Sequence, residues 1–119
     1  MKSFKELIVW EKSHRLALQV YGDTRRFPKE ELYGLTSQMR RSSVSIPINI
    51  AERRGRNRNR KLNRLFEIAM GPASELEYFF LLACDPGFLD KEEFNERAGI
   101  IIEIKRMLAS LIQKLKSDR

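Results

Sequence analysis

Apolar residues recur along this 119-residue chain at intervals of three and four, the spacing that gathers side chains on one face of an α-helix. The first stripe, Leu7, Trp10, Ala17, Val20, Tyr21 and Phe27 with Ser13 and Thr24 completing the spacing, predicts a helix over 6–27. Phe27-Pro28 closes it, because the residue before proline is pushed out of the helical region. In that phase Ile8, Val9, Leu16 and Leu18 lie off the main seam. A second stripe, Leu32, Leu35, Met39, Ser42/Ser43, Ile46 and Ile50, predicts a helix over 30–54 whose start suits the acidic pair Glu30 and Glu31. Pro47 removes one hydrogen bond inside it and crowds the Ser43 carbonyl, so a bend is expected there. Asn49 beside the seam reads as a partly exposed polar residue.

The third stripe, Leu62, Leu65, Phe66, Ala69, Ala73, Leu76, Phe80 and Ala83, predicts a helix over 58–84. Gly71-Pro72 either kinks it or divides it in two at Met70, and the unbroken phase of the stripe favours one kinked helix. Asp85-Pro86-Gly87 is a turn, and Asp90 is the expected N-cap of a fourth helix over 90–117. That helix carries Ile101, Ile104, Leu108, Leu111 and Leu115, widened by Ile100, Ile102, Met107 and Ile112 into more apolar surface than one seam needs. Four such helices joined by short turns predict an all-α, up-and-down (antiparallel) four-helix bundle, with 1–119 as a single domain.

The charge distribution adds a feature the periodicity does not show. Between Arg53 and Arg64 lie seven basic residues and no acidic one, while the other 107 residues carry sixteen of each sign. The whole net charge of +7 therefore resides in this one segment. Such a cluster is a local anion-binding surface whose natural counter-ion is a polyanion. Six of the seven are arginine, which favours planar, bidentate phosphate contact. Arg53, Arg54, Arg56, Arg58, Arg60, Lys61 and Arg64 are the candidate ligands, with Arg40 and Arg41 as supplements one or more turns away. Gly55 is placed to cap the second helix, and Asn57 or Asn59 the third.

Other chemistries find little support. The single cysteine, Cys84, lies in an apolar run and reads as a small buried thiol. The single histidine, His14, reads as a solvent-facing or boundary residue and is unaccompanied by a nucleophile. One glutamate, Glu11, is followed three residues on by the single histidine, His14, but the carboxylate-bridged metal pair of some bundles needs two such motifs and is not expected, and no phosphate-binding glycine loop occurs. Glu52, Glu75 and Glu77 could meet across a bundle as ligands for a divalent ion, although pairing with Arg40, Arg41 or the basic segment is the simpler account. An enzyme, a metal and a cofactor are all unexpected. Trp10, Tyr21, Tyr33 and Phe79/Phe80 are aromatic at helical spacing and more in keeping with core than with base stacking; Tyr33 and Tyr78 are the weak stacking candidates. With no signal-peptide core and no apolar run long enough to span a bilayer, a cytoplasmic location and no membrane contact are expected.

Three segments carry a resemblance. Phe4-Lys5-Glu6-Leu7-Ile8-Val9-Trp10-Glu11-Lys12, then Leu32-Tyr33-Gly34-Leu35-Thr36-Ser37-Gln38-Met39-Arg40-Arg41-Ser42-Ser43-Val44-Ser45-Ile46-Pro47-Ile48-Asn49-Ile50-Ala51-Glu52, and Glu75-Leu76-Glu77-Tyr78 resemble the bacterial "four helix bundle protein" family. That family is related to proteins encoded in intervening sequences of ribosomal RNA genes. The likeness implies an up-and-down bundle that assembles as a homopentamer, and a related group, the accessory proteins of diversity-generating retroelements, binds nucleic acid and a reverse transcriptase. It also implies that proline is tolerated at Pro47 within a long helix. Two departures stand out: the family usually has Ala-Glu-Gly where this chain has Ala51-Glu52-Arg53, which strengthens the basic segment, and Gly71-Pro72 replaces a more helix-friendly pair.

The sequence thus predicts a non-enzymatic, oligomeric bundle that binds RNA or DNA through phosphates. The alternative is an assembly or adaptor protein whose basic segment meets an acidic protein partner. Oligomerisation follows from apolar positions that one small bundle cannot cover, and the pentamer from the resemblance alone.

Overall fold

A computed structural model describes residues 4–54 and 60–117, with side chains for all of these except 54 and 60–63. The described residues form α1 (Phe4–Thr24), a 3₁₀ turn (Lys29–Glu31), α2 (Leu35–Arg54), α3 (Arg60–Cys84) and α4 (Lys91–Ser117). Each helix packs on two others in the cyclic order α1, α2, α3, α4, with α1 and α4 the least closely packed pair. Glu6 near the start of α1 meets Arg53 near the end of α2, while Asp23 near the end of α1 meets Arg97 near the start of α4. Sequential neighbours are therefore antiparallel, and the rod measures 47 × 24 × 18 Å. Among the described residues no helix is long and apolar enough to cross a membrane.

Three of the four seams follow the apolar stripes. Met39, Ile46 and Ile50 of α2, Phe66, Ala69, Ala73, Leu76, Phe80 and Ala83 of α3, and Ile101, Ile104, Leu108 and Leu111 of α4 are all buried. In α1 the seam runs in a different phase from the expected one. Val9 and Leu16, expected off the seam, are in the core, while Leu7 and Trp10 are half-buried. The buried positions of α1 are Glu6, Val9, Ser13, Leu16, Ala17, Val20, Asp23 and Thr24. Two carboxylates on that seam disguise its phase in the sequence, because charged residues are rarely buried unless paired.

The helix ends explain the remaining boundary shifts. α1 stops at Thr24 rather than Phe27. Phe27 turns inward, buried, with its ring centroid 5.5 Å from that of Phe88. α2 begins at Leu35 rather than Glu30; the Glu31 carboxylate accepts a hydrogen bond from the Leu35 amide at 3.3 Å, supplying one of the acceptors a helix start lacks. At the end of α3, Gly87 has φ of 91°, the Phe88 amide donates to the Ala83 carbonyl at 2.9 Å, and the Gly87 amide donates to that of Cys84 at 3.0 Å. This is a Schellman cap, and glycine is favoured there because a Cβ is strained at positive φ. α4 then opens with a reciprocal capping box: the Glu93 amide donates to Asp90 Oδ1 at 2.7 Å, and the Asp90 amide donates to Glu93 Oε1 at 3.0 Å.

Both internal prolines are carried within unbroken helices, Pro47 in α2 and Pro72 in α3. The third stripe, expected over 58–84, is therefore one helix rather than two, described from Arg60 to Cys84. Around Pro47, side chains bond back onto the helix: Ser43 Oγ donates to the Arg40 carbonyl at 2.9 Å, Ser45 Oγ to that of Arg41 at 3.0 Å, and Asn49 Nδ2 to that of Ser45 at 2.7 Å. Asn49 is half-buried, as expected. Ser42 and Ser43 are buried, and Ser42 Oγ lies 3.3 Å from Glu75 Oε1 on α3, so small side chains hold two backbones close near the proline.

Candidate nucleic-acid interface

The antiparallel order brings four termini to one end of the rod: the start of α1, the end of α2, the start of α3 and the end of α4. A contact between Lys116 of α4 and Glu67 of α3, at 3.9 Å, spans this end. The described segments gathered there, 4–6, 52–54, 60–67 and 113–117, hold eight basic and three acidic residues, whereas 23–34 and 85–97 at the opposite end hold eight acidic and five basic. The molecule is electrically polarised along its axis. A field of that form attracts and orients a polyanion before contact.

Among the sequence candidates, Arg64 is exposed near the start of α3. Arg60 and Lys61 belong to the first turn of α3 and Arg54 ends α2. Arg56 and Arg58 lie outside the described residues, as do the proposed caps Gly55, Asn57 and Asn59. Lys5, Lys114 and Lys116 are exposed at the same end and were missed in the sequence because each stands alone among ordinary residues. Only the up-and-down order, which returns the end of α4 to the end where α2 finishes and α3 starts, exposes their common location.

Arg53 requires correction as a surface ligand: it is wholly buried, among the largest side chains so placed. Its guanidinium carbon lies 5.4 Å from the Phe66 ring centroid, a cation–π contact. Nη1 is 3.8 Å from Glu6 Oε1. Among the described residues, Nε, Nη1 and Nη2 have no hydrogen-bond acceptor. The departure from Ala-Glu-Gly therefore places a cation inside the bundle rather than on the basic face. Arg53 continues the α2 seam three residues beyond Ile50, and that spacing was the available signal.

Arg40 and Arg41 also lie apart from the basic end, about 20 Å along the axis at 1.5 Å per helical residue. Arg40 is engaged: Nε donates to Thr24 Oγ1 at 2.9 Å and the guanidinium sits 4.8 Å from the Tyr21 ring centroid, joining α1 to α2. Arg41 is exposed. Tyr33 is 93% exposed but precedes α2, at the acidic end, so it cannot stack a base beside the basic segment. Tyr78 is exposed too, while Phe80 is core. His14 is exposed and lies parallel to Trp10 with centroids 5.3 Å apart. Cys84 is half-exposed rather than buried.

The acidic residues do not converge. Glu75 meets Ser42, Glu77 accepts from Lys105 Nζ at 2.8 Å, and Glu52 is exposed. Among the described residues no group of three or more metal-ligating side chains exists. The strongest polar cluster is at the acidic end, where Arg97 Nε and Nη2 each donate to the buried Asp23 carboxylate at 2.9 Å. Arg26 Nη2 bridges Asp23 at 3.3 Å and Glu93 at 2.6 Å, and Glu96 pairs with Arg97 and with Gln19. The hydrogen bond to Asp23 holds Arg97 above the usual arginine range, against the opposing effect of burial. This cluster is a clamp between α1 and α4, with its charges already satisfied.

Helix order, core and ends define an all-α, antiparallel four-helix bundle with one strongly basic end. A family model described as 23S rRNA-intervening sequence protein matches residues 5–110. The chain belongs to that family. It is also similar to a crystal structure from Bacteroides thetaiotaomicron VPI-5482, a protein of unknown function from the S23 ribosomal protein family. The TM-score is 0.82 at 23% identity, over 92% of this chain and 99% of that one. At that identity the likeness establishes the fold. No curated protein matches the sequence.

Proposed function

We propose that the chain is a non-enzymatic, oligomeric protein that binds nucleic acid through phosphates at the basic end of the bundle. The observation that carries this reading is the convergence of Lys5, Arg64, Lys114 and Lys116, all exposed, on the end where α2 finishes and α3 starts. Arg54, Arg56, Arg58, Arg60 and Lys61, the remaining basic residues of the segment, are the further ligands of this reading. Phosphate contacts position a ligand without reading its bases, so affinity falls steeply with salt and sequence preference is weak. The family description ties its members to intervening sequences of 23S rRNA, which makes RNA the first ligand to test.

Leu18, Ile48, Ile68, Tyr78, Leu81, Leu82 and Ile102 remain exposed on the helix faces. Subunit contacts would cover part of that apolar surface, and a pentamer, the assembly implied by the family resemblance, would present five basic ends and gain avidity. The lone Cys84 fits a cytoplasmic setting.

The test is fluorescence anisotropy with a labelled single-stranded RNA at several salt concentrations. The expected plot of log affinity against log salt is linear and steep, and replacing Arg56, Arg58 and Arg60 together by alanine reduces its slope by about 2, at about 0.7 per single-strand phosphate. A salt-independent isotherm, or a slope unchanged in the triple variant, refutes the reading. Capture of an acidic protein in place of nucleic acid by purified material would favour the adaptor role.

A further inference from the structure

The geometry points to Arg53 as a reserve phosphate ligand, held inside the bundle by Glu6 and drawn out when a polyanion occupies the basic end. This inference rests on the phosphate-binding reading above and adds a coupling between ligand and helix packing. Arg53 stands one residue before the end of α2, at the head of the basic segment. It is nevertheless 0% exposed. Among the described residues its carboxylate contact is that with Glu6 Oε1 at 3.8 Å, too long for a hydrogen bond.

A buried charge is costly unless it is both paired and hydrogen-bonded. Arg97, the other arginine tucked against a buried carboxylate, satisfies both conditions through its two 2.9 Å bonds to Asp23. Arg53 satisfies the first weakly, with none of its three guanidinium nitrogens hydrogen-bonded among the described residues. The Phe66 ring compensates only in part. A phosphate offers the guanidinium two short, charge-assisted bonds in a planar fork, so the ligand supplies what the interior lacks. The wall that must yield is the first turn of α1, which holds Glu6 and begins only two residues earlier at Phe4.

Release of Arg53 has a local reporter. Trp10, the single tryptophan, is four residues beyond Glu6 and so on the same face of α1. It is half-buried against the core. Exchange of the Glu6–Arg53 pair for an Arg53–phosphate pair changes the packing around the first turns of α1 and hence the emission of Trp10. The phosphate chemistry is shared by a nucleic-acid backbone and by free inorganic polyphosphate, which the experiment separates.

The experiment compares wild type, Arg53→Met and Glu6→Gln, each first checked for native helicity by circular dichroism. Each is titrated with a single-stranded oligonucleotide and, separately, with polyphosphate. In wild type, binding shifts Trp10 emission. In Arg53→Met, binding persists through the surface arginines, the emission shift is lost, and the salt slope falls by about 0.7, one single-strand phosphate. In Glu6→Gln, which weakens the internal hold, affinity rises severalfold and the free protein already shows the shifted emission. This second variant keeps the test decisive if Arg53→Met does not fold. Response to polyphosphate alone assigns the released arginine to a free polyanion; response to both assigns it to phosphate in general. Arg53→Met with the wild-type slope and emission shift overturns the inference while leaving phosphate binding intact, as does Glu6→Gln with unchanged affinity. Absence of binding by wild type to either polyanion overturns both.

Discussion

The two ends of α1 each carry a buried carboxylate facing an arginine from another helix, yet they are built to different standards. At the acidic end, Asp23 receives two 2.9 Å bonds from Arg97 and a third cation, Arg26, whose other partner Glu93 is fixed by the capping box of α4. At the basic end, Glu6 and Arg53 approach only to 3.8 Å. A carboxylate and an arginine form a closed network in one place, while in the other the guanidinium has no hydrogen-bond acceptor among the described residues. A buried ion pair stabilises only where hydrogen bonds replace the lost hydration, so the acidic end locks the bundle and Arg53 is the more weakly held of the two arginines.

The contrast is broken most severely at Arg97. Arg97→Ala leaves Asp23 buried without its main partner and is expected to cost about 3–5 kcal/mol in urea denaturation. Asp90→Ala removes the side-chain acceptor of the Glu93 amide while leaving the backbone bond that orients the Glu93 carboxylate, with an expected cost of about 1 kcal/mol by the same measurement. The double variant Glu6→Gln, Arg53→Met, which removes both charges of the 3.8 Å pair, is expected to change stability by less than about 1 kcal/mol or to raise it; a loss as large as that of Arg97→Ala would erase the distinction between the ends. Lys116→Ala, at the exposed 3.9 Å contact with Glu67, is expected to change stability by no more than about 0.5 kcal/mol. The raised Arg97 pKa gives the sign of the guanidinium's own contribution on the alkaline side. Its stabilisation is fully present below the ordinary arginine range and is lost only as pH rises through the folded value, so alkaline titration up to that range should leave the acidic-end clamp intact.

The four helices were legible because their cores are aliphatic and their ends carry specific chemistry: Gly87 where φ is positive, Asp90 and Glu93 three residues apart. The phase of α1 was not legible, for the reason that its seam begins and ends with Glu6 and Asp23. A hydrophobic pattern treats both as surface and slides the stripe toward Leu7 and Trp10. Arg53 was misplaced by the same rule, since a charge within a run of charges reads as solvated. Its partner on α1 is 47 residues away in the sequence, and only the antiparallel packing of α1 on α2 brings the two together. Lys5, Lys114 and Lys116 were invisible for the complementary reason that isolated lysines carry no local signal until topology collects them.

Hydrogen exchange of the free protein and of the protein saturated with single-stranded RNA tests the polarity of the molecule most directly. The account predicts changed exchange in 4–12, 48–67 and 108–117, with 23–34 and 85–97 unaltered because the satisfied clamp there neither meets the ligand nor moves. Protection centred on 23–34 and 85–97, or spread evenly along the rod, would contradict the assignment of phosphate binding to the basic end.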